Sequence, residues 1–208
     1  MPDIALTATR TTAASTADER PLVAAGARAA LAAPVVAVFA IAVGAPIYAD
    51  DLSDAASTGR FTVTAAATLV VFVLLALALL ALHGSQEHRL GRAAHTGFGL
   101  ALAGTLLAAG GAWDSLFTLP YLADHAAAVL DRDTDGSLLA GYVLSYLVFV
   151  AGWVSVAATT LRAKVLPRAA SIILLVGAVL AILPAPTPIR VLVLSAGAAL
   201  LGRAMIRR

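Results

Sequence analysis

The densest cluster of reactive side chains is Trp113-Asp114-Ser115-Leu116-Phe117-Thr118-Leu119-Pro120-Tyr121. If a helix runs through to Leu119, Trp113 and Phe117 lie four residues apart on one face, and Asp114 is three before Phe117. A carboxyl set among apolar groups keeps its proton and can donate it, while aromatic faces stabilise a cation. Asp114 is therefore the candidate general acid, with Trp113, Phe117 and Tyr121 lining its pocket. His125, close to Asp124 and Asp114 in the chain, is a further candidate acid or base. The competing reading puts the same residues at a membrane boundary, as an aromatic belt beside a solvated aspartate and an exposed histidine.

Asp131-Arg132-Asp133-Thr134-Asp135-Gly136-Ser137 reproduces the D-x-D-x-D-G opening of a calcium loop, in which alternate carboxylates converge on the ion and glycine allows the sharp turn. The twelfth position is Tyr142 rather than a bidentate Glu. Asp131, Asp133, Asp135 and Ser137 are thus candidate ligands of a weak calcium site, against a plain acidic turn in which Asp135 or Ser137 caps the next helix. His83, Glu87, His88 and His95 form a second metal candidate, with His88 and His95 seven apart on one helical face. Lacking the H-E-x-x-H arrangement, they read better as interfacial histidines beside Arg89 and Arg92. No G-x-S-x-G, Walker A or dinucleotide fingerprint occurs. The absence of cysteine excludes thiolate nucleophiles, disulfides, Cys-ligated zinc and iron–sulfur clusters.

The elements that must hold these groups belong to a membrane protein. The chain has 208 residues, 61% hydrophobic and 12% charged, with mean hydropathy +0.92; soluble domains are about half apolar and about a quarter charged. A bilayer core about 30 Å thick needs roughly 20 apolar helical residues. Six stretches approach that length, at 29–48, 61–82, 93–112, 138–161, 167–183 and 189–205, the last two near the lower limit. Trp113 and Tyr142 suit interfacial anchoring. Pro167 fits a first helical turn, and Pro184, Pro186 and Pro188 suit a tight turn that makes the last two spans a hairpin.

The expected fold is all-α, an integral membrane bundle of six transmembrane helices over 23–208, preceded by a disordered tail at 1–22. The first apolar stretch exceeds a signal-peptide core and is expected to be retained, a cleaved signal being the alternative. Residues 120–130 are expected to form a short amphipathic helix on the outer surface. Gly97, Gly99, Gly104, Ala108, Gly110 and Gly111 give the third span little bulk, which places it centrally. Gly141 with Ser145, and Gly177 with Ala181, repeat the small-residue spacing.

Eleven basic residues fall on one side of these spans and three, Arg60, Arg132 and Arg190, on the other. Basic residues are retained in the cytoplasm, so both termini are expected inside, in a multi-pass plasma-membrane protein. Eight aspartates, including Asp50, Asp51, Asp54 and Asp114, face outside. An anionic face of this kind binds cations or donates protons. The pI of about 9.4 is then an orientation signal with attraction for anionic lipid headgroups, and no nucleic-acid reader motif accompanies it.

The Trp113–Pro120 segment, with Gly152-Trp153 and Leu161-Arg162-Ala163-Lys164-Val165-Leu166-Pro167-Arg168, resembles a pattern in small, uncharacterised multi-span membrane proteins of high-GC Gram-positive bacteria, over about residues 93–205. The resemblance implies a bacterial membrane protein and brings no catalytic assignment. Thirteen Arg against one Lys agrees with a GC-rich genome.

Two functions compete. The first is a non-enzymatic accessory, sensing or small transport module; no charged residue lies deep in a span to mark an ion pathway. The second is an intramembrane enzyme acting on a lipid or isoprenoid through Asp114. An enclosed apolar cavity reaching Asp114 favours the enzyme, and tightly packed helices favour the module.

Overall fold

In hydrocarbon every amide must find its partner within its own segment, so the apolar runs become helices. The computed structural model describes residues 3–86, 91–132, 136–183 and 185–207, and every regular element among them is helical. In order these are α1 (Asp3–Gly44), a 3-10 turn (Ala45–Ile47), α2 (Leu52–Ala56), α3 (Gly59–Gly84), α4 (Arg92–Leu130), α5 (Gly136–Ala163), α6 (Arg168–Leu180) and α7 (Thr187–Ile206).

Five helical segments are long and apolar enough to cross a bilayer: Pro21–Ile47, Gly59–Gly84, Arg92–Leu130, Gly136–Ala163 and Thr187–Ile206. The chain is a helical membrane protein. The expected sixth span is the exception. α6 has 13 residues, about 20 Å of helix at 1.5 Å per residue, and residues 181–183 already belong to the turn that precedes the proline cluster. The apolar part of α1 begins at Pro21, next to the expected boundary at 22. Its helical backbone reaches back to Asp3, through the Ala-rich residues expected to be irregular.

α3, not the glycine-rich α4, is the central helix. Of the apolar stretch of α3, 56% is buried, against 28% for α4. Low bulk permits close approach but does not compel it on every face. Gly97 and Gly104 of α4 meet α5, whereas a side chain at Gly99, Gly110 or Gly111 would meet open space. α3 instead buries Val71, Phe72, Leu75, Leu79 and Leu82 and packs against α1, α4 and α7.

Two reciprocal glycine contacts lock the helix pairs. Gly104 of α4 abuts the Phe149 backbone, and Gly152 of α5 abuts Ala101. Gly177 of α6 faces Leu194, and Gly197 of α7 faces Leu174, so the expected hairpin of the last two apolar segments is a tight one. Gly202 lies on Ala27 and Gly26 on Leu77 and Ala81, which brings the end of α7, the start of the apolar part of α1 and the end of α3 together. The opposite end carries Asp50, Asp51, Asp54, Asp114 and Asp131 and is called here the acidic end.

Candidate functional site

The acidic end is built by a cross-chain cap. α2 has Asp51 at its N-cap but no side-chain bond from it. Asp131, at the end of α4, takes over: Ser53 donates its backbone N–H to Oδ1 at 3.2 Å and its hydroxyl to Oδ2 at 2.8 Å. Thr58 then starts α3, accepting from the Phe61 N–H at 3.2 Å. α2 is thereby held against α4. Asp131→Ala removes both bonds, and loss of an exposed pair of this kind is worth about 1 kcal/mol. Amide exchange across 51–56 should accelerate about fivefold, with the rest of the bundle unchanged.

Behind α2 lies a cavity of about 590 Å³, within the ordinary range of small-molecule sites. It is walled by Ile47–Leu52, α2, α3, α4, α5 and the start of α7. Its apolar wall includes Phe61, Leu107 and Leu138, and its polar groups are Asp50, Asp114, three tyrosines and several serine and threonine hydroxyls. Asp50 and Asp114 are exposed and mark its mouth. Neither carboxylate makes a hydrogen bond or ion pair among the described residues. Tyr48 closes one side with its ring against Gly44.

The wall made by α5 and α7 is organised by Arg190, whose part in the site sequence reasoning missed. Its Nη2 donates to the Tyr142 hydroxyl at 3.1 Å and to Thr187 Oγ1 at 2.9 Å. The guanidinium carbon also sits 4.2 Å from the centroid of the Tyr146 ring, a cation–π distance. Tyr146 and Thr187 share a 3.2 Å hydroxyl contact. Tyr142, Tyr146 and Thr187 all line the cavity. The signal available in the sequence was spacing: Thr187 and Arg190 are three apart, and Tyr142 and Tyr146 four apart, each on one helical face.

The expected aromatic pocket around Asp114 does not form. Adjacent residues on a helix point about 100° apart, so Trp113 and Asp114 cannot share a face. Leu107, Gly111, Asp114 and Ser115 look into the cavity, whereas Trp113, Phe117 and Tyr121 are 58%, 53% and 61% exposed on another face. Those rings pair along the helix instead, Trp113 tilted 50° against Phe117 at 4.4 Å and Tyr121 stacked on His125 at 4.3 Å between centroids. His125 Nδ1 lies 2.9 Å from the Tyr121 carbonyl, and among the described residues no hydrogen bond joins it to Asp114 or Asp124. Nor is 120–130 a separate surface helix. α4 runs on through Pro120 to a kink at Ala126 (φ −153°, ψ 44°), where a second, short helical piece begins that reaches Leu130.

Of the calcium candidates, Asp133 and Asp135 lie outside the described residues, Asp131 is engaged by Ser53, and Ser137 lines the cavity. In the other candidate set Glu87 and His88 lie outside the described residues. His83 and His95 do meet, ring to ring at 5.0 Å, and His83 stacks on Phe98 at 4.1 Å. Among the described residues no three His, Asp or Glu side chains converge on one point. Comparison with protein-family models, with curated proteins and with solved structures finds no match, so the site is read from its own geometry.

Proposed function

We propose that the chain is a six-pass protein of a bacterial plasma membrane, with both termini cytoplasmic, that holds a small amphiphile in the cavity at its acidic, outward end. It acts as a binding module in sensing, transport or an accessory role. The observation that carries this reading is the cavity itself: about 590 Å³, apolar on one wall and hydroxyl- and carboxylate-lined on the other. Such a surface suits a ligand that has both a chain and a polar head.

The test is to purify the protein in detergent and identify copurifying lipids and other amphiphiles by native mass spectrometry. Gly141 lines the cavity with open space where its side chain would be, so Gly141→Trp fills it. The expected result is a retained amphiphile in the wild type and at least a tenfold loss in Gly141→Trp. No retained molecule, or equal retention in the variant, overturns the reading.

The enzymatic reading keeps one supporting observation, Asp114 at the cavity wall. It requires a proton donor shielded from water, and Asp114 is exposed and without the aromatic enclosure. Turnover of supplied isoprenoids by the wild type, abolished in Asp114→Asn with binding intact, would restore it.

A further inference from the structure

Three hydroxyl oxygens on the cavity wall and the two carboxylates at its mouth can only accept, a fourth hydroxyl is left without a partner, and this set specifies the head group of the occupant. Ser115 donates its hydroxyl proton to the Gly111 carbonyl at 2.9 Å, Ser145 to Gly141 at 2.7 Å and Thr68 to Thr64 at 2.7 Å. With those protons committed to their own helices, the three oxygens offer a ligand only lone pairs. The carboxylates of Asp50 and Asp114 are acceptors without a partner among the described residues. The cation beside the cavity, Arg190, is set behind the α5–α7 wall with its guanidinium turned to Tyr142, Thr187 and the Tyr146 ring, its Nε buried without a partner.

An independent feature points the same way. Thr64 is 8% exposed and its Oγ1, on a cavity-lining residue, is buried with no hydrogen-bond partner. A buried polar atom left unsatisfied is costly, and the more so beside hydrocarbon. A donor arriving in the cavity relieves it.

We infer that the occupant is an amphiphile with a protonated amine head. The inference rests on the amphiphile-binding reading above. An ammonium group has three donors and no acceptor, which matches the lone pairs of Ser115, Ser145 and Thr68 and the orphaned Oγ1 of Thr64. Its positive charge matches the two aspartates at the mouth, and its chain lies along Phe61, Leu107 and Leu138. An anionic head meets the carboxylates with like charge. A neutral alcohol supplies one donor where several acceptors wait.

The test uses the full chain in phosphatidylcholine nanodiscs and three probes of equal chain length: decylammonium, decanol and decanoate. Binding is measured by calorimetry with empty discs subtracted. Decylammonium is expected to bind about tenfold more tightly than decanol, with decanoate weakest, the carboxylate contacts being partly screened by solvent. Asp50→Asn combined with Asp114→Asn should level the three affinities, and Thr64→Val should weaken decylammonium alone. Equal binding of the three probes by the wild type overturns the amine preference while leaving the amphiphile-binding reading intact. Absence of binding by all three, or binding that survives Gly141→Trp unchanged, overturns both. The comparison of probes on the wild type does not depend on any variant folding.

Discussion

Gly152→Val is expected to abolish most of the folded protein recovered in detergent. A Cβ at Gly152 would run into the backbone of Leu100 and Ala101 on α4, not into a side chain that could turn aside. Overpacking against side chains costs about 1–3 kcal/mol; here two helix axes must separate, and the reciprocal contact of Gly104 with Phe149 is lost with them. The expected penalty is about 3 kcal/mol or more, a drop of roughly 10 °C in Tm at the usual scaling for a chain of this size. Trimming a neighbour offers no rescue, because the obstruction is main chain. Gly99→Ala is the matched control on α4. Its side chain would meet open space, and alanine favours a helix over glycine by up to about 1 kcal/mol. Thermal unfolding of both variants should show a fall in the first and no fall in the second; equal behaviour would mean that α4 and α5 are not in this register.

Trp153→Ala should have a similar effect for a different reason. Trp153 is 1% exposed and packs against Phe149, with ring centroids 6.3 Å apart. Removing so large a buried ring costs about 3–5 kcal/mol. Part of that is a single bond: the indole N–H donates to Thr105 Oγ1 at 3.0 Å, and Thr105 passes its own proton to the Ala101 carbonyl at 2.6 Å. Thr105→Val isolates this part. It preserves volume, strands the indole N–H in apolar surroundings and should cost about 1–3 kcal/mol, whereas Thr105→Ser restores the acceptor and most of the stability. The protein has two tryptophans, so in a Trp113→Phe background the emission of Trp153 reports this environment directly.

The membrane-length helices were legible because each is a run of about 20 apolar residues, a signal that needs no tertiary information. The end of α4 was not. Pro120 reads as a boundary, yet it deprives the helix of one N–H only, and the break comes six residues later, at Ala126. The centre of the bundle was misread for a related reason: glycine content records where helices can approach, while burial depends on which neighbours arrive. At the site, Asp114, expected as a general acid, and Ser137, expected as a calcium ligand, both line the cavity. The cavity depends on residues far apart in the chain, such as Arg190 with Tyr142, 48 residues away, and on the five-residue α2, held by Asp131 from 78 residues away. Periodicity within one segment gives the face each residue occupies but not which distant segment that face will meet. The i, i+3 spacing of Asp114 and Phe117 permits a contact without compelling one, and the structure turns the aromatic residues and Asp114 to different sides.

The shortness of α6 bears on how the protein meets membranes of different thickness. A helix of about 20 Å in hydrocarbon about 30 Å deep ordinarily forces the lipid to thin around it or water to follow it inward. The turn after α6 reduces the need. The amides of Ala181, Ile182, Leu183, Ala185, Ile189 and Arg190 each donate to a nearby carbonyl, and Pro184, Pro186 and Pro188 have no N–H to donate. Ile182, Leu183 and Ile189 turn apolar side chains outward. The main-chain donors of the turn are mostly met within it, while the Arg190 Nε is buried without a partner; a main chain so paired lets protein take up part of a mismatch that lipid would otherwise absorb. Because Pro186, Thr187 and Pro188 also border the cavity, the turn that closes the α6–α7 hairpin is at the same time part of the cavity wall.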